Sequence, residues 1–256
     1  MAEFIVTERR DNGVELIRFN RPKMNALSAE LLAELADHCA ALTADADLKA
    51  VVLTGTDKVF AAGAEISQLL DSDAPLIENF RRAFDGLAAI PRPVIAAVSG
   101  FALGGGLEAA LACDFRLASE SARLGVPEID LGVFPGAGGT QRLARLIGPT
   151  KAKEMTWTGR HVRAEEALAI GLVDRVVPVE GYLDAALEWA GSFASGAVVA
   201  MGLSKQAIDG GLDGSLADGL DLERSLFRQV IATEDAETGI KSFFENGPGK
   251  ATFKGR

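Results

Sequence analysis

Two glutamates sit where a carboxyl can do acid–base work. Glu108 lies in FALGGGLEAALACD (101–114), where Gly104, Gly105 and Gly106 follow a buried strand and open a helix. A helix start made of glycines leaves backbone N–H groups unpaired and aimed outward, with the positive end of the helix behind them. Binding of an anion or a developing oxyanion is the chemistry such a turn offers; close packing in a tight turn is its other use. Glu108 stands one turn further on, flanked by Leu107, Ala109, Ala110 and Leu111. Those neighbours leave little polar face for a solvated glutamate. A carboxyl forced into apolar surroundings keeps its proton to higher pH, which suits general acid–base catalysis.

Glu128 follows Pro127 in RLGVPEIDLGVFPGAGGTQRL (123–143), a stretch whose Pro135-Gly136-Ala137-Gly138-Gly139 leads into another helix. Loop glutamates are usually solvated, so Glu128 alone would carry little weight. Twenty residues from Glu108 and one short strand away, however, it can face the same cleft. A second run of small residues, Ala61, Ala62, Gly63 and Ala64, lies in KVFAAGAEISQLL (58–70), directly after the strand AVVLTG. Small residues at two separate strand ends suggest two N–H donors aimed at one oxygen; a plain connecting loop is the alternative. Gly104, Gly106 and Ala109 also match G-x-G-x-x-A, a weak dinucleotide fingerprint, with Glu128 near the place of a ribose-binding acid. Context argues against it. The helix must end by about Cys113, too soon for a dinucleotide fold, and Glu128 sits in a turn after Pro127 and does not end a strand.

The elements that must position these residues read as follows. FIVTER (4–9) and GVELIRF (13–19) are strands joined by a turn at Asp11-Asn12-Gly13. Ser28 is an N-cap candidate for a helix carrying Leu31, Leu32, Leu35, Cys39 and Leu42 at helical spacing. AVVLTG (50–55), PVIAAVSG (93–100), FRLAS (115–119) and LVDRVVP (172–178) are further strands, with a helix over roughly 73–89. Residues 180–245 read as almost wholly helical, broken near Gly196, at Gly210-Gly211 and at Gly214, before a loop-like tail. A soft boundary near residue 190 separates an α/β core (1–190) carrying the site from a helical C-terminal region (191–256).

Composition narrows the function classes. The chain has 256 residues, a net charge of −10 and no basic block, which disfavours a nucleic-acid surface. Aromatic residues are only 6% of the chain, so the core is built from Ala, Val, Leu and Ile, as α/β layering allows. Cys39 and Cys113 lie in apolar helical patterns and read as buried thiols, not a redox pair. The two histidines, His38 and His161, have no metal-site spacing. No run approaches the roughly 20 apolar residues of a membrane span, and MAEFIVTERR has no signal-peptide core. The expectation is a cytoplasmic protein without membrane or nucleic-acid partners.

Taken together, NRPKMNALS (20–28), FAAGAEI (60–66), PVIAAVSGFALGGGLEAALACD (93–114), GVPEIDLGVFPGAGGTQRL (125–143), AIGLVDRVVP (169–178) and TFKGR (252–256) resemble the crotonase superfamily, the enoyl-CoA hydratase/isomerase family. The resemblance runs along nearly the full chain, with the motifs in the right order. It implies a crotonase-like α/β superhelix of repeated strand–strand–helix units with a C-terminal helical trimerisation region, assembled as a trimer or a dimer of trimers. It also implies an acyl-CoA thioester whose oxygen is held by the backbone N–H groups of Ala62 and Gly105. Contacts to the CoA substrate fall on Lys23, Ala61 to Ala64, Glu65, Ile66, Gly104, Gly105 and Lys254. The hydratase branch keeps both glutamates, here Glu108 and Glu128, whereas isomerases, dehalogenases and decarboxylases often replace one. Val133, Phe134 and Met155 are candidates for the acyl pocket, with ordinary core as the alternative reading.

The expected activity is therefore enoyl-CoA hydration, with no metal or redox cofactor and with coenzyme A as part of the substrate. Enoyl-CoA isomerisation is the alternative within the family. A non-catalytic or RNA-binding relative is the alternative outside enzymes, against which the acidity and the intact glutamate pair both weigh. Two departures from the commoner pattern stand out. NRPKMNALS is one residue shorter between Lys23 and Asn25-Ala26-Leu27, and Glu65 stands where aspartate is frequent.

Overall fold

The computed structural model describes residues 4–70 and 75–256. Strands β1 (Ile5–Arg9) and β2 (Val14–Phe19) pair antiparallel about a turn in which Gly13 takes φ +80°. Helix α1 (Ala29–Ala44) begins at Ser28, whose side chain accepts the Leu31 N–H, and it buries Leu31, Leu32, Leu35, Cys39 and Leu42. Three strand–strand–helix units follow. The first is β3 (Ala50–Thr54), β4 (Val59–Ala61), a single-turn α2 (Ile66–Leu69) and α3 (Leu76–Ala89). The second is β5 (Val94–Val98), β6 (Phe101–Leu103) and α4 (Gly105–Leu111). The third is β7 (Phe115–Ser119), β8 (Arg123–Gly125), a 3₁₀ turn at Pro127–Leu131, then α5 (Gly139–Ile147) and α6 (Pro149–Thr158). After β9 (Val162–Arg163), α7 (Ala164–Ala169) and β10 (Arg175–Val177) come four helices: α8 (Tyr182–Ala194), α9 (Val198–Leu212), α10 (Leu216–Ile231) and α11 (Glu234–Asn246).

The first strand of each unit joins a six-stranded sheet, β1-β2-β3-β5-β7-β10, parallel from β2 onward. The second strand joins a four-stranded sheet, β4-β6-β8-β9. Each unit therefore advances one step in both sheets at once, which is the repeated superhelical architecture that the resemblance implies. In the larger sheet, alternate residues face opposite ways. Val51, Leu53, Val94, Ala96 and Val98 enter the main core with α1 and α3. Ala50, Val52, Ile95 and Ala97 face Tyr182, Ala186, Trp189 and Ala190 of α8. Cover on both faces explains why these strands read as unbroken apolar runs.

Three details depart from the sequence reading. Strands β4, β6 and β8 have three residues each and were not distinguished, because so short a strand has no alternation to recognise. Gly210-Gly211 does not break α9: Gly211 packs against Gly219 of α10, and the missing side chains let the two helices approach closely. Residue 190 falls inside α8, which covers the sheet, so α8 packs with the core and α9 to α11 follow it. Positions 73 and 74 of the expected helix lie outside the described residues; its described part begins at Leu76. No single helix among the described residues is long and apolar enough to cross a membrane.

The packing that matters for the site is that of α4 on β4. A Cβ at Gly106 would overlap the carbonyl oxygen of Ala61, so only glycine lets the helix start meet the strand end. Overpacking of this kind costs about 1–3 kcal/mol. Gly106→Ala is expected to lower the thermal midpoint by roughly 5–10 °C, read by circular dichroism. An unchanged midpoint would mean that α4 does not seat on β4 in this way.

Candidate active site

Glu108 is the fourth residue of α4 and is only 3% exposed. Its Oε1 accepts the backbone N–H groups of Ala137 (2.8 Å) and Gly139 (2.7 Å), the latter being the first residue of α5. The carboxyl therefore lies at the positive end of a second helix as well as in the first turn of its own. Burial pushes its pKa above the ordinary carboxylate value, while the Gly139 and Ala137 amides and the positive charge of Arg142 oppose that rise. The side chain also fixes the identity of position 139, since a Cβ there would sit 2.9 Å from Glu108 Oε1.

Glu128 comes from the 3₁₀ turn and is held differently. Its Oε1 lies 3.0 Å from where a Cβ of Gly104 would be, so the carboxyl rests on the bare backbone of the glycine turn. Its Oε2 is buried and has no hydrogen-bond partner among the described residues. Burial first, and then the charge of Glu108, push its pKa up to about 7. The two carboxyls thus have unlike surroundings: Glu108 is gripped by the amides of another loop, whereas Glu128 has only its own backbone N–H and an Oε2 with no donor. This is how neighbouring carboxyls are set apart as base and acid.

The backbone donors come from the glycine turn and the end of β4. Gly104 takes φ +52°, and its N–H pairs with the Gly125 carbonyl at 2.9 Å. Gly105, as the first helical residue, has no intrahelical acceptor for its N–H, and none is found for it among the described residues. A Cβ at Gly105 would meet the Phe80 ring at 2.9 Å, so α3 also closes on this turn. Gly63 approaches Gly104 closely, its Cα being 3.6 Å from the Cβ position there. The structure thus brings Ala61 to Gly63, Gly104 to Gly106, Glu108 and Glu128 to one place.

The Ala62 N–H is already engaged, donating to the Met24 carbonyl at 3.1 Å. The short segment that precedes it is fixed by Asn25, which is buried and left-handed at φ +49°. The Asn25 side-chain amide donates to the Val59 and Phe60 carbonyls, and its oxygen accepts the Arg21 N–H. Lys23 on this segment is exposed. Glu65 pairs with Arg21 at 2.8 Å, which holds its carboxyl below the usual range, and Ile66 is exposed.

Other candidates lie elsewhere. Met155 is fully buried in the main core and packs there. Val133 and Phe134 are exposed on the loop between the 3₁₀ turn and α5. Lys254 donates its N–H to Asp235, accepts from the Lys49 ammonium and pairs its side chain with Glu234, so α11 and the start of β3 hold it within this chain. Both cysteines are free and buried, and burial pushes each thiol up to about 12. A cleft of about 920 Å³ lined by Asp85, Cys113, Asp114, Arg142, Lys205 and Ile208 contains neither glutamate, so the site is located by its chemistry and not by open volume. The sequence reading did not single out Ala137 and Gly139 as donors to Glu108. Their signal was the run of glycines opening a helix, the same pattern already noticed at 104–106.

A family model described as enoyl-CoA hydratase/isomerase matches residues 9–256. A probable enoyl-CoA hydratase of Rhizobium meliloti (strain 1021) is 46% identical over 246 residues, covering 95% of each chain. The mitochondrial enoyl-CoA hydratase of Pongo abelii is 41% identical over 257 residues, covering 98% of this chain and 88% of its own. The crystal structure of an enoyl-CoA hydratase from Bacillus anthracis superposes with a TM-score of 0.92 at 40% identity, over 99% of this chain and 100% of that one. With the motifs, the stepped double sheet and the paired carboxyls in place, the chain belongs to the enoyl-CoA hydratase/isomerase family.

Proposed function

We propose that the protein is an enoyl-CoA hydratase, adding water syn across the double bond of a 2-trans-enoyl-CoA to give the 3-hydroxyacyl-CoA. The observation that carries this reading is the unlike pair, Glu108 bound by two amides and Glu128 with a buried Oε2 that has no partner among the described residues. An isomerase needs essentially one base, whereas hydration uses a base and an acid together. The relatives named above, hydratases by name, support the same reading.

In this mechanism one water molecule lies between the two carboxyls. Glu108, as carboxylate, takes a proton from it while the oxygen bonds to Cβ. Electrons shift onto the thioester oxygen, and the Gly105 N–H stabilises the enolate, with the helix start behind it. The Ala62 N–H joins it when the Met24 carbonyl yields its place to that oxygen. Each such donor is worth about 3 kcal/mol. Protonated Glu128 then delivers its proton to Cα on the same face, and the proton held by Glu108 returns to Glu128 through the next water. These steps use carboxyl groups and N–H donors alone. Exposed Ile208, Leu216, Phe227 and Phe244 on α9 to α11 support self-association through this region, with the trimer or dimer of trimers being what the resemblance implies.

The test offers 2-enoyl-CoA and 3-enoyl-CoA separately and follows the conjugated-thioester absorbance. Rapid loss with the 2-enoyl substrate is expected, with at most slow gain from the 3-enoyl substrate. Conversion of the 3-enoyl substrate faster than hydration of the 2-enoyl one would overturn the assignment. A series from four to sixteen carbons then sets the acyl length.

A further inference from the structure

We propose that Arg142, held by Asp85, is a positioning residue for Glu108: it fixes the loop whose amides grip that carboxylate. The proposal rests on the reading of Glu108 as the water-activating base. Two N–H groups can converge on one carboxylate oxygen here only because Gly138, between Ala137 and Gly139, takes φ +107°. The carbonyl of Gly138 accepts the Gln141 (3.0 Å) and Arg142 (2.8 Å) N–H groups, which ties that residue to the start of α5. Arg142, one turn into α5, lies over it: a Cβ on Gly138 would overlap Arg142 Nη1. The same nitrogen donates to the Ala137 carbonyl at 3.4 Å, a long bond on the opposite side of the residue whose N–H serves Glu108. The other nitrogen, Nη2, bonds Asp85 Oδ1 of α3 at 3.1 Å. One guanidinium thus joins α3, α5 and the glycine loop, a planar task for which lysine is a poor substitute.

The charges that bear on Glu108 are Arg142 from α5 and Glu128 from the 3₁₀ turn, and Asp85 from α3 bears on Arg142. Arg142 touches no part of the proposed substrate site, so its loss should act on turnover and not on binding. Arg142→Met is expected to lower kcat about 10–100-fold with KM nearly unchanged, and to move the acid limb of the kcat/KM profile, where Glu108 gains its proton, to higher pH. Arg142→Lys should return the acid limb toward its original place while recovering only part of kcat. Asp85→Asn keeps the charge but frees the guanidinium, and should lower kcat without raising the acid limb.

A folded Arg142→Met enzyme with unaltered kcat and acid limb overturns the proposal. If that variant does not fold, an acid limb raised in Asp85→Asn, or full kcat in Arg142→Lys, does so instead. Glu108→Gln run alongside separates the two levels. Activity surviving there defeats the reading of Glu108 as base, whereas loss there with an unmoved acid limb in Arg142→Met defeats only the role of Arg142.

Discussion

In Glu128→Gln, hydration of a 2-enoyl-CoA is expected to fall about 10³-fold or more, with KM changed by less than a few-fold. A positioned acid contributes typically 10²–10⁴ in rate, and glutamine has nearly the same shape but no proton of suitable acidity. The surroundings of the side chain strengthen the expectation. Its Oε2 is buried without a donor, and burial outweighs the bond from its own backbone N–H, so the proton is retained up to about pH 7. The free enzyme should therefore lose kcat/KM as pH rises through about 7, and Glu128→Gln should lose that limb together with its activity.

The same substitution should act on stability in the opposite sense. The folded-state pKa lies above the unfolded value of 4.5, so between those pH values the native protein holds a proton that the unfolded chain has released. Stability then declines as pH rises from about 4.5 to 7 and stays reduced above. Glutamine has no charge to bury, so Glu128→Gln should melt higher than the parent at pH 8 and equally at pH 4. Near-parental hydration in this variant, or a melting difference larger at pH 4 than at pH 8, would contradict the environment described.

The second large effect is expected at Glu108→Gln, again about 10³-fold in kcat but by a different route. The amide oxygen of glutamine can still accept the Ala137 and Gly139 N–H groups, so the loop and the fold should survive. What is lost is the negative charge that, in the proposed mechanism, draws the proton from water. Removing it should also lower the pKa of Glu128, since the Glu108 charge is one of the causes that raise it. The residual activity of Glu108→Gln should therefore show its alkaline limb at lower pH than the parent. An alkaline limb that stays in place would mean the two carboxyls do not sense each other.

The sequence made the chemistry more legible than the architecture. Glu108 was visible because four apolar neighbours surrounded it and three glycines preceded it; burial of that carboxyl followed from composition alone. Glu128 had a weaker local mark: its distance of twenty residues and one short strand from Glu108 allowed a shared cleft, and the resemblance added the pairing, while its contact with the Gly104 backbone was not legible. The second sheet stayed hidden, since strands of three residues carry no period. The amides of Ala137 and Gly139 were hidden for a related reason: a backbone donor has no residue type to betray it. Likewise nothing in NRPKMNALS disclosed that the Met24 carbonyl would occupy the Ala62 N–H, which depends on Asn25 pinning that segment to β4.

All of these expectations need both carboxyls to work on one water and one face of the substrate. Hydration of a 2-trans-enoyl-CoA in deuterium oxide, with the product examined by proton NMR, tests that most directly. The predicted product carries one deuterium at Cα, on the face that received the oxygen at Cβ. Deuterium on the opposite face, an even mixture of both faces, or a migrated double bond without added water would contradict it.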